Sequence, residues 1–125
     1  MINEFFEGVS LKEIENFEKT FHIKFPEDYK IFLQTYNGGE YICPGTVLFG
    51  IGDKVPDWCS IETSYKVYDG IFPKDLVLLG WKNYGNLIVY DPKAKKYLIW
   101  SIENRCSIKE YCSLFQIIFE DIEAI

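Results

Sequence analysis

Apolar residues recur at helical spacing early in this chain, at alternating spacing in its middle, and at helical spacing again near its end. Leu11, Ile14, Phe17 and Phe21 mark one face of a first helix. Ser10 precedes them and Glu13 follows three residues on, a capping box in which each side chain satisfies the other's free backbone N–H. A second helix is written into residues 25–39. Pro26 suits a first turn because its φ is fixed and it has no N–H to leave unpaired. Glu27 and Asp28 put negative charge where the unpaired N–H groups point. Tyr29, Phe32, Leu33 and Tyr36 then fall at i, i+3, i+4 and i+7 and predict a buried stripe. Asn37, Gly38 and Gly39 are expected to end the helix, since they accept the left-handed conformation of a closing turn.

Beyond Gly39 the period shortens. Val47, Phe49 and Ile51 alternate with Leu48 and Gly50 behind a Pro44-Gly45 turn signal, which predicts a strand. Residues 52–70 read as irregular, with a short helical run over 61–68. Further strands are expected over 76–79, 86–90 and 96–101, the last two forming a hairpin across residues 92–95. Ser107 with Glu110 reads as a second capping box. It would open a last helix of nearly four turns, with Ile108, Tyr111, Cys112, Phe115, Ile118, Phe119 and Ile122 as its stripe. Glu120, Asp121 and Glu123 would end its exposed face, where acidic residues oppose the helix dipole. The order of elements predicts an α+β fold: a small, mostly antiparallel sheet packed with two N-terminal helices and one C-terminal helix.

The chain has 125 residues, enough for one sizeable core and too few for two ordinary domains, so a single domain over 1–125 is expected. Aromatic residues make up 18%, which fills such a core and leaves some Tyr and Trp for the surface, where they suit a partner. The net charge of −6 argues against direct nucleic-acid binding, which needs a basic footprint. It is compatible with a basic protein partner, and solubility alone also explains a charge of this size. No apolar run reaches the length of a membrane span, and Met1-Ile2-Asn3-Glu4 lacks the basic flank of a secretion signal, so a cytoplasmic location is expected. Cys43, Cys59, Cys106 and Cys112 form no Cys-x-x-Cys pair. Reduced, mostly buried thiols are expected, with no metal and no cofactor.

Residues suited to catalysis are sparse. His22 is the sole histidine and no strained nucleophile motif accompanies it. Asp53 and Asp57, with Trp58 alongside, are the least ordinary carboxylate pair, but close acidic pairs are inevitable among 19 acidic residues. Gly50-Ile51-Gly52 lacks the remainder of any nucleotide-binding fingerprint. What the residues do support is a partner-binding surface. Glu40, Tyr41, Asp53, Asp57, Trp58 and Glu62 come from one stretch, and Trp81 and Tyr84 from a later turn. Aromatic side chains supply rigid contact area, and the acidic neighbours select a basic partner.

With these pieces in order, the chain resembles the SUKH superfamily, the SMI1/KNR4-like group of a yeast cell-wall-assembly regulator and bacterial immunity proteins. The resemblance runs from Ile14-Glu15-Asn16-Phe17-Glu18 through Phe25-Pro26-Glu27-Asp28-Tyr29-Lys30-Ile31-Phe32-Leu33 to Tyr36-Asn37-Gly38-Gly39. It continues through Leu48-Phe49-Gly50-Ile51, Leu79-Gly80, Tyr84-Gly85-Asn86, residues 97–100, and Phe115 with Phe119. It spans about residues 10–122. Trp81-Lys82-Asn83-Tyr84 stands where the family often has an acidic, glycine-rich turn, which implies a different partner for this member. The resemblance implies a small α+β domain that is not an enzyme. It also implies an immunity protein that binds and neutralises a cognate bacterial polymorphic toxin, frequently a nuclease. The alternative it leaves open is a regulatory or scaffold module without a toxin partner. A homodimer is compatible with either.

Overall fold

Seven strands pair in chain order, each antiparallel to the next, in the computed structural model, which describes residues 4–41, 45–83 and 85–123. The strands are β1 (Glu4–Glu7), β2 (Tyr36–Tyr41), β3 (Thr46–Leu48), β4 (Val77–Lys82), β5 (Asn86–Asp91), β6 (Lys96–Ser101) and β7 (Cys106–Tyr111). Helices α1 (Leu11–Phe21) and α2 (Glu27–Thr35) lie between β1 and β2. A 3-10 turn (Asp57–Cys59) and α3 (Ile61–Val67) lie between β3 and β4, and α4 (Leu114–Glu123) follows β7. The expected α+β architecture is present: α3 falls on the short helical run expected over 61–68, and the sheet has more strands than the sequence pattern marks.

Because side chains alternate across a strand, the register defines two faces. Tyr41, Thr46, Lys82, Tyr97 and Tyr111 share one face. Helices α2 and α4 pack on it: Tyr97 Oη donates to Asp28 of α2 at 2.5 Å, and the other Asp28 oxygen accepts from the Leu114 N–H that opens α4, at 2.8 Å. Glu40, Val47, Trp81, Leu87 and Trp100 share the opposite face. There Tyr65 of α3 accepts from the Leu78 N–H, and Trp100 Nε1 donates to the Ile71 carbonyl. With both faces covered, the central Leu87, Ile88 and Val89 are fully buried.

The local signals of α1 hold in full. Ser10 Oγ accepts from the Glu13 N–H at 3.2 Å, and the Glu13 carboxylate accepts from the Ser10 N–H at 3.4 Å. His22 closes the helix in the left-handed conformation, φ 55°. Ile14 and Phe17 are buried, while Leu11 and Phe21 remain exposed. In α2, Tyr29 and Leu33 are fully buried. Phe17, Phe25, Tyr29, Phe32 and Tyr36 form an unbroken run of ring contacts, with successive centroids 6.1, 5.7, 5.5 and 6.4 Å apart.

Three expectations are corrected. No closing turn follows α2. Asn37, Gly38 and Gly39 belong to β2, which begins directly after Thr35, so Tyr36 leaves the helical stripe and is exposed. The glycine at 38 serves close backbone approach: its φ is +83°, and a Cβ there would lie 2.5 Å from Gly50 N and 2.8 Å from Cys59 Sγ. Nor do Ser107 and Glu110 form a capping box. Residues 106–111 are β7, paired from Ser101↔Cys106 to Tyr97↔Tyr111. The edge of β6 offers these residues backbone hydrogen bonds, and an apolar spacing of three and four does not by itself exclude a strand. Helix α4 therefore starts only at Leu114, buries Leu114 and Ile117, and turns Phe115, Phe119 and Ile122 outward. The thiols also differ from expectation. Cys59 is buried, Cys106 and Cys112 are exposed, and Cys43 lies outside the described residues.

Candidate partner-binding face

One cross-strand row organises the second face of the sheet. Glu4 pairs with Glu40, Glu40 with Val47, Val47 with Trp81, Trp81 with Leu87, and Leu87 with Trp100. The fold thus brings Glu40 and Trp81 to the same face on either side of the buried Val47, although 40 residues separate them in the chain. Both side chains are half-buried. Glu4 stands beside Glu40, and the two carboxylates on neighbouring strands reinforce one another's field.

The 3-10 turn delivers the next group. It is anchored by Gly50, whose N–H donates to the Cys59 carbonyl at 2.7 Å and whose carbonyl accepts from the Ile61 N–H at 3.0 Å. Cys59 Sγ donates to the Leu48 carbonyl at 3.3 Å. Burial pushes the Cys59 thiol up to about 11, and the nearby carboxylates of Glu4 and Glu40 add to the shift. The turn therefore sits against the acidic end of the row. Trp58, 41% exposed, projects from it with its ring centroid 5.8 Å from that of Phe6 on β1. Asp57 beside it is exposed, and its Oδ1 is 3.5 Å from the donating Thr63 hydroxyl. Asp53 lies in the preceding turn and is also exposed. Among the described residues, Glu4, Glu40, Asp53 and Asp57 form no ion pair.

Other expected site residues take different roles. Glu62 is half-buried and accepts from the Gly52 N–H at 3.3 Å, which ties the loop carrying Asp53 to α3. Tyr41 faces the opposite way from Glu40. It is buried, and its phenol donates to Asp121 Oδ2 at 2.9 Å. Burial and the adjacent Asp121 charge hold that phenol far above the usual tyrosine range. Asp121 also accepts from Thr46 Oγ1 at 2.8 Å and pairs with Lys82 Nζ at 2.5 Å, so it is a largely buried hub and not part of an exposed acidic helix end. Tyr84 lies outside the described residues. Glu4 and Phe6, which join the face through β1, carry no distinctive sequence signal. A four-residue edge strand is too short to show a period.

The described residues hold no group of three or more His, Cys, Asp or Glu side chains placed to bind a metal ion. The groove beside His22 is lined by Glu15, Glu18, Lys19 and Lys30, and the loop of Asp53 and Asp57 takes no part in it. Glu18 there is committed to structure, accepting from the Phe25 N–H at 2.8 Å. No helix among the described residues is long and apolar enough to cross a membrane. The second face thus carries Glu40 and Trp81 in one row, and the 3-10 turn against it carries the exposed Asp57 and Trp58.

No curated protein matches the chain. The model of the SMI1 / KNR4 family (SUKH-1) matches residues 8–121, which takes in every element from α1 to most of α4. The chain therefore belongs to this family of immunity proteins and SMI1/KNR4-type regulators.

Proposed function

We propose that this chain is a non-catalytic immunity protein that binds and neutralises a cognate polymorphic toxin, a basic nuclease, in the cytoplasm. Glu40, Asp53, Asp57, Trp58 and Trp81 carry the contact. Family membership supports the protein-binding role. What supports the acidic face is that Asp53 and Asp57, in the turns leading to the exposed Trp58, are themselves exposed and form no ion pair among the described residues. A nuclease active surface is cationic because it must meet phosphates, and an acidic protein docked there excludes the nucleic acid by occupancy.

The test is direct. The product of a neighbouring toxin gene is titrated with the wild type and with the double variant Asp53→Lys/Asp57→Lys, alongside a cell-protection assay. The variant should keep its melting temperature, lose about tenfold or more in affinity at low salt, and protect less. Unchanged affinity would remove this face from the proposal. A chain that captures a non-toxin partner and gives no protection would belong with the regulators of the family.

A further inference from the structure

Trp58 is a partly exposed indole with a second ring already set beside it. Phe6 lies 5.8 Å away, centroid to centroid, and the two rings are tilted by 54°. Its neighbour Phe5 turns to Tyr36 and Tyr41 on the other side of the sheet, so β1 sends Phe6 alone to Trp58. Glu4 stands two residues before Phe6, about 7 Å back along the strand. It is exposed and pairs across to the half-buried Glu40. Like charges directly opposite one another destabilise a strand pair. Neither carboxylate has an ion pair or a side-chain hydrogen bond among the described residues to relieve this. Both also act on the Cys59 thiol, next to Trp58 in the chain, so their field reaches the base of the indole. Asp57 on the other flank of Trp58 is exposed and forms no ion pair either. Lys54, the cation nearest to the 3-10 turn in sequence, is exposed and pairs with none of the three.

Rings and carboxylates together select the occupant. An apolar side chain seated on Trp58 would strip water from the carboxylates and give them nothing in return. A metal ion lacks ligands, since no three acidic, histidine or cysteine side chains among the described residues are placed to hold one. A second copy of this chain would bring a net charge of −6 to an acidic rim. A flat, weakly hydrated cation satisfies both rings and carboxylates. Arginine ends in such a group, whereas the lysine ammonium is a compact, strongly hydrated point charge. Resting on the basic partner proposed above, we infer that Trp58 and Phe6 seat one of its arginine side chains, the guanidinium over the indole and its N–H groups toward Glu4 and Glu40. A guanidinium within about 6 Å of an indole centroid is held by the ring face, and here by the carboxylate field as well. Tryptophan and arginine are also the side chains that most often anchor protein interfaces. Strand β1 thereby becomes part of the recognition site and not merely the edge of the sheet.

Nuclear magnetic resonance on the full, isotope-labelled chain tests this without the toxin. The probe is an end-blocked triarginine peptide at about 20 mM NaCl, where charges are weakly screened. Trilysine and tricitrulline are its comparisons, the latter keeping arginine's shape without its charge. Triarginine should shift the Trp58 indole signal and the Glu4 and Phe6 amides saturably, at concentrations that leave the Trp100 indole in place. Trilysine should bind about threefold or more weakly, and tricitrulline should not bind. Trp58→Leu and Glu4→Gln/Glu40→Gln should each weaken triarginine about threefold or more. If Trp58→Leu loses the signal dispersion of a folded chain, Trp58→Phe takes its place and should also bind more weakly than the wild type. Equal binding of trilysine or tricitrulline overturns the inference, as does unchanged affinity in the folded variants. So does the absence of any shift at Trp58 with about 10 mM peptide, a concentration well above a weak dissociation constant. A toxin bound equally by the wild type and Trp58→Leu removes the anchor and leaves the immunity role standing. Triarginine seated at Trp58 in a chain that neutralises no toxin supports the anchor and removes the immunity role.

Discussion

The side-chain amide of Asn37 satisfies both backbone groups of Ile51: Nδ2 donates to the Ile51 carbonyl and Oδ1 accepts from the Ile51 N–H, each at 2.8 Å. Asn37 is buried, so neither group has water as a substitute. The amide thus acts as a backbone-like bridge between β2 and the segment leaving β3, which leads to the loop of Asp53, Asp57 and Trp58. Replacing it with Ala should cost about 2–4 kcal/mol, because a buried donor and a buried acceptor lose their partners together. Urea denaturation measures this, and a loss below about 1 kcal/mol would show that the amide is dispensable.

Gly38 and Gly52 separate close approach from conformational preference. Both have φ +83°, but a Cβ at Gly52 meets nothing within 4 Å, whereas one at Gly38 meets Gly50 N and Cys59 Sγ. Gly52→Ala should cost about 1–2 kcal/mol, the left-handed penalty alone. Gly38→Ala should cost more by at least about 1 kcal/mol and should loosen the 3-10 turn, exposing Cys59 to thiol reagents. Equal losses in the two variants would contradict this reading.

Asp121 holds α4 to the sheet through Lys82, Tyr41 and Thr46. Asp121→Ala leaves a largely buried lysine and two hydroxyls without their partner, and should cost about 3–5 kcal/mol. Adding Lys82→Met should restore part of that loss, since the stranded charge goes with it. A double variant as unstable as the single one would mean that the hydroxyl bonds dominate, and thermal melts of the four proteins in the cycle decide it.

Stability should fall at alkaline pH. Burial pushes the Cys59 thiol up to about 11 from an ordinary value near 9. Tyr29 is raised well above its ordinary value by burial, and Tyr97 is raised by burial and its bond to Asp28. Folded values above unfolded ones mean that the folded chain keeps protons the unfolded chain releases. The Cys59 contribution is complete below about pH 9 and is lost as pH rises through 9–11, and those of Tyr29 and Tyr97 begin to be lost only above about pH 10, by about 1.4 kcal/mol per group per pH unit. The urea midpoint at pH 7, 9 and 10.5 should therefore decline, and a flat profile would refute the assignment.

Ser107→Ala and Glu110→Ala should each change stability by less than about 0.5 kcal/mol, as exposed strand residues do. Removing a helix cap costs about 1 kcal/mol. Ser10→Ala, at a capping box that is present, is the positive control for the same measurement.

Local chemistry alone determined α1 and most of α2. A Ser10–Glu13 box, a proline at the entry and residues one helical turn apart act within a few positions of one another, so their meaning survives without the rest of the fold. The α+β class followed for the same reason, since each period reports its own element. Residues 106–111 were different. Ile108, Tyr111 and Cys112 satisfy a helical spacing, and only the hydrogen-bonding edge of β6 made the segment a strand. Asn37 to Gly39 likewise read as a helix stop until Ile51, Gly50 and Cys59 arrived beside them from further along the chain. The candidate face shows the limit most sharply. Glu40 and Tyr41 are neighbours in sequence, yet the pleat sends one toward Trp81 and the other beneath α4. Which goes where is set by the register of β2 against β3, a relation between distant residues that only the tertiary structure decided.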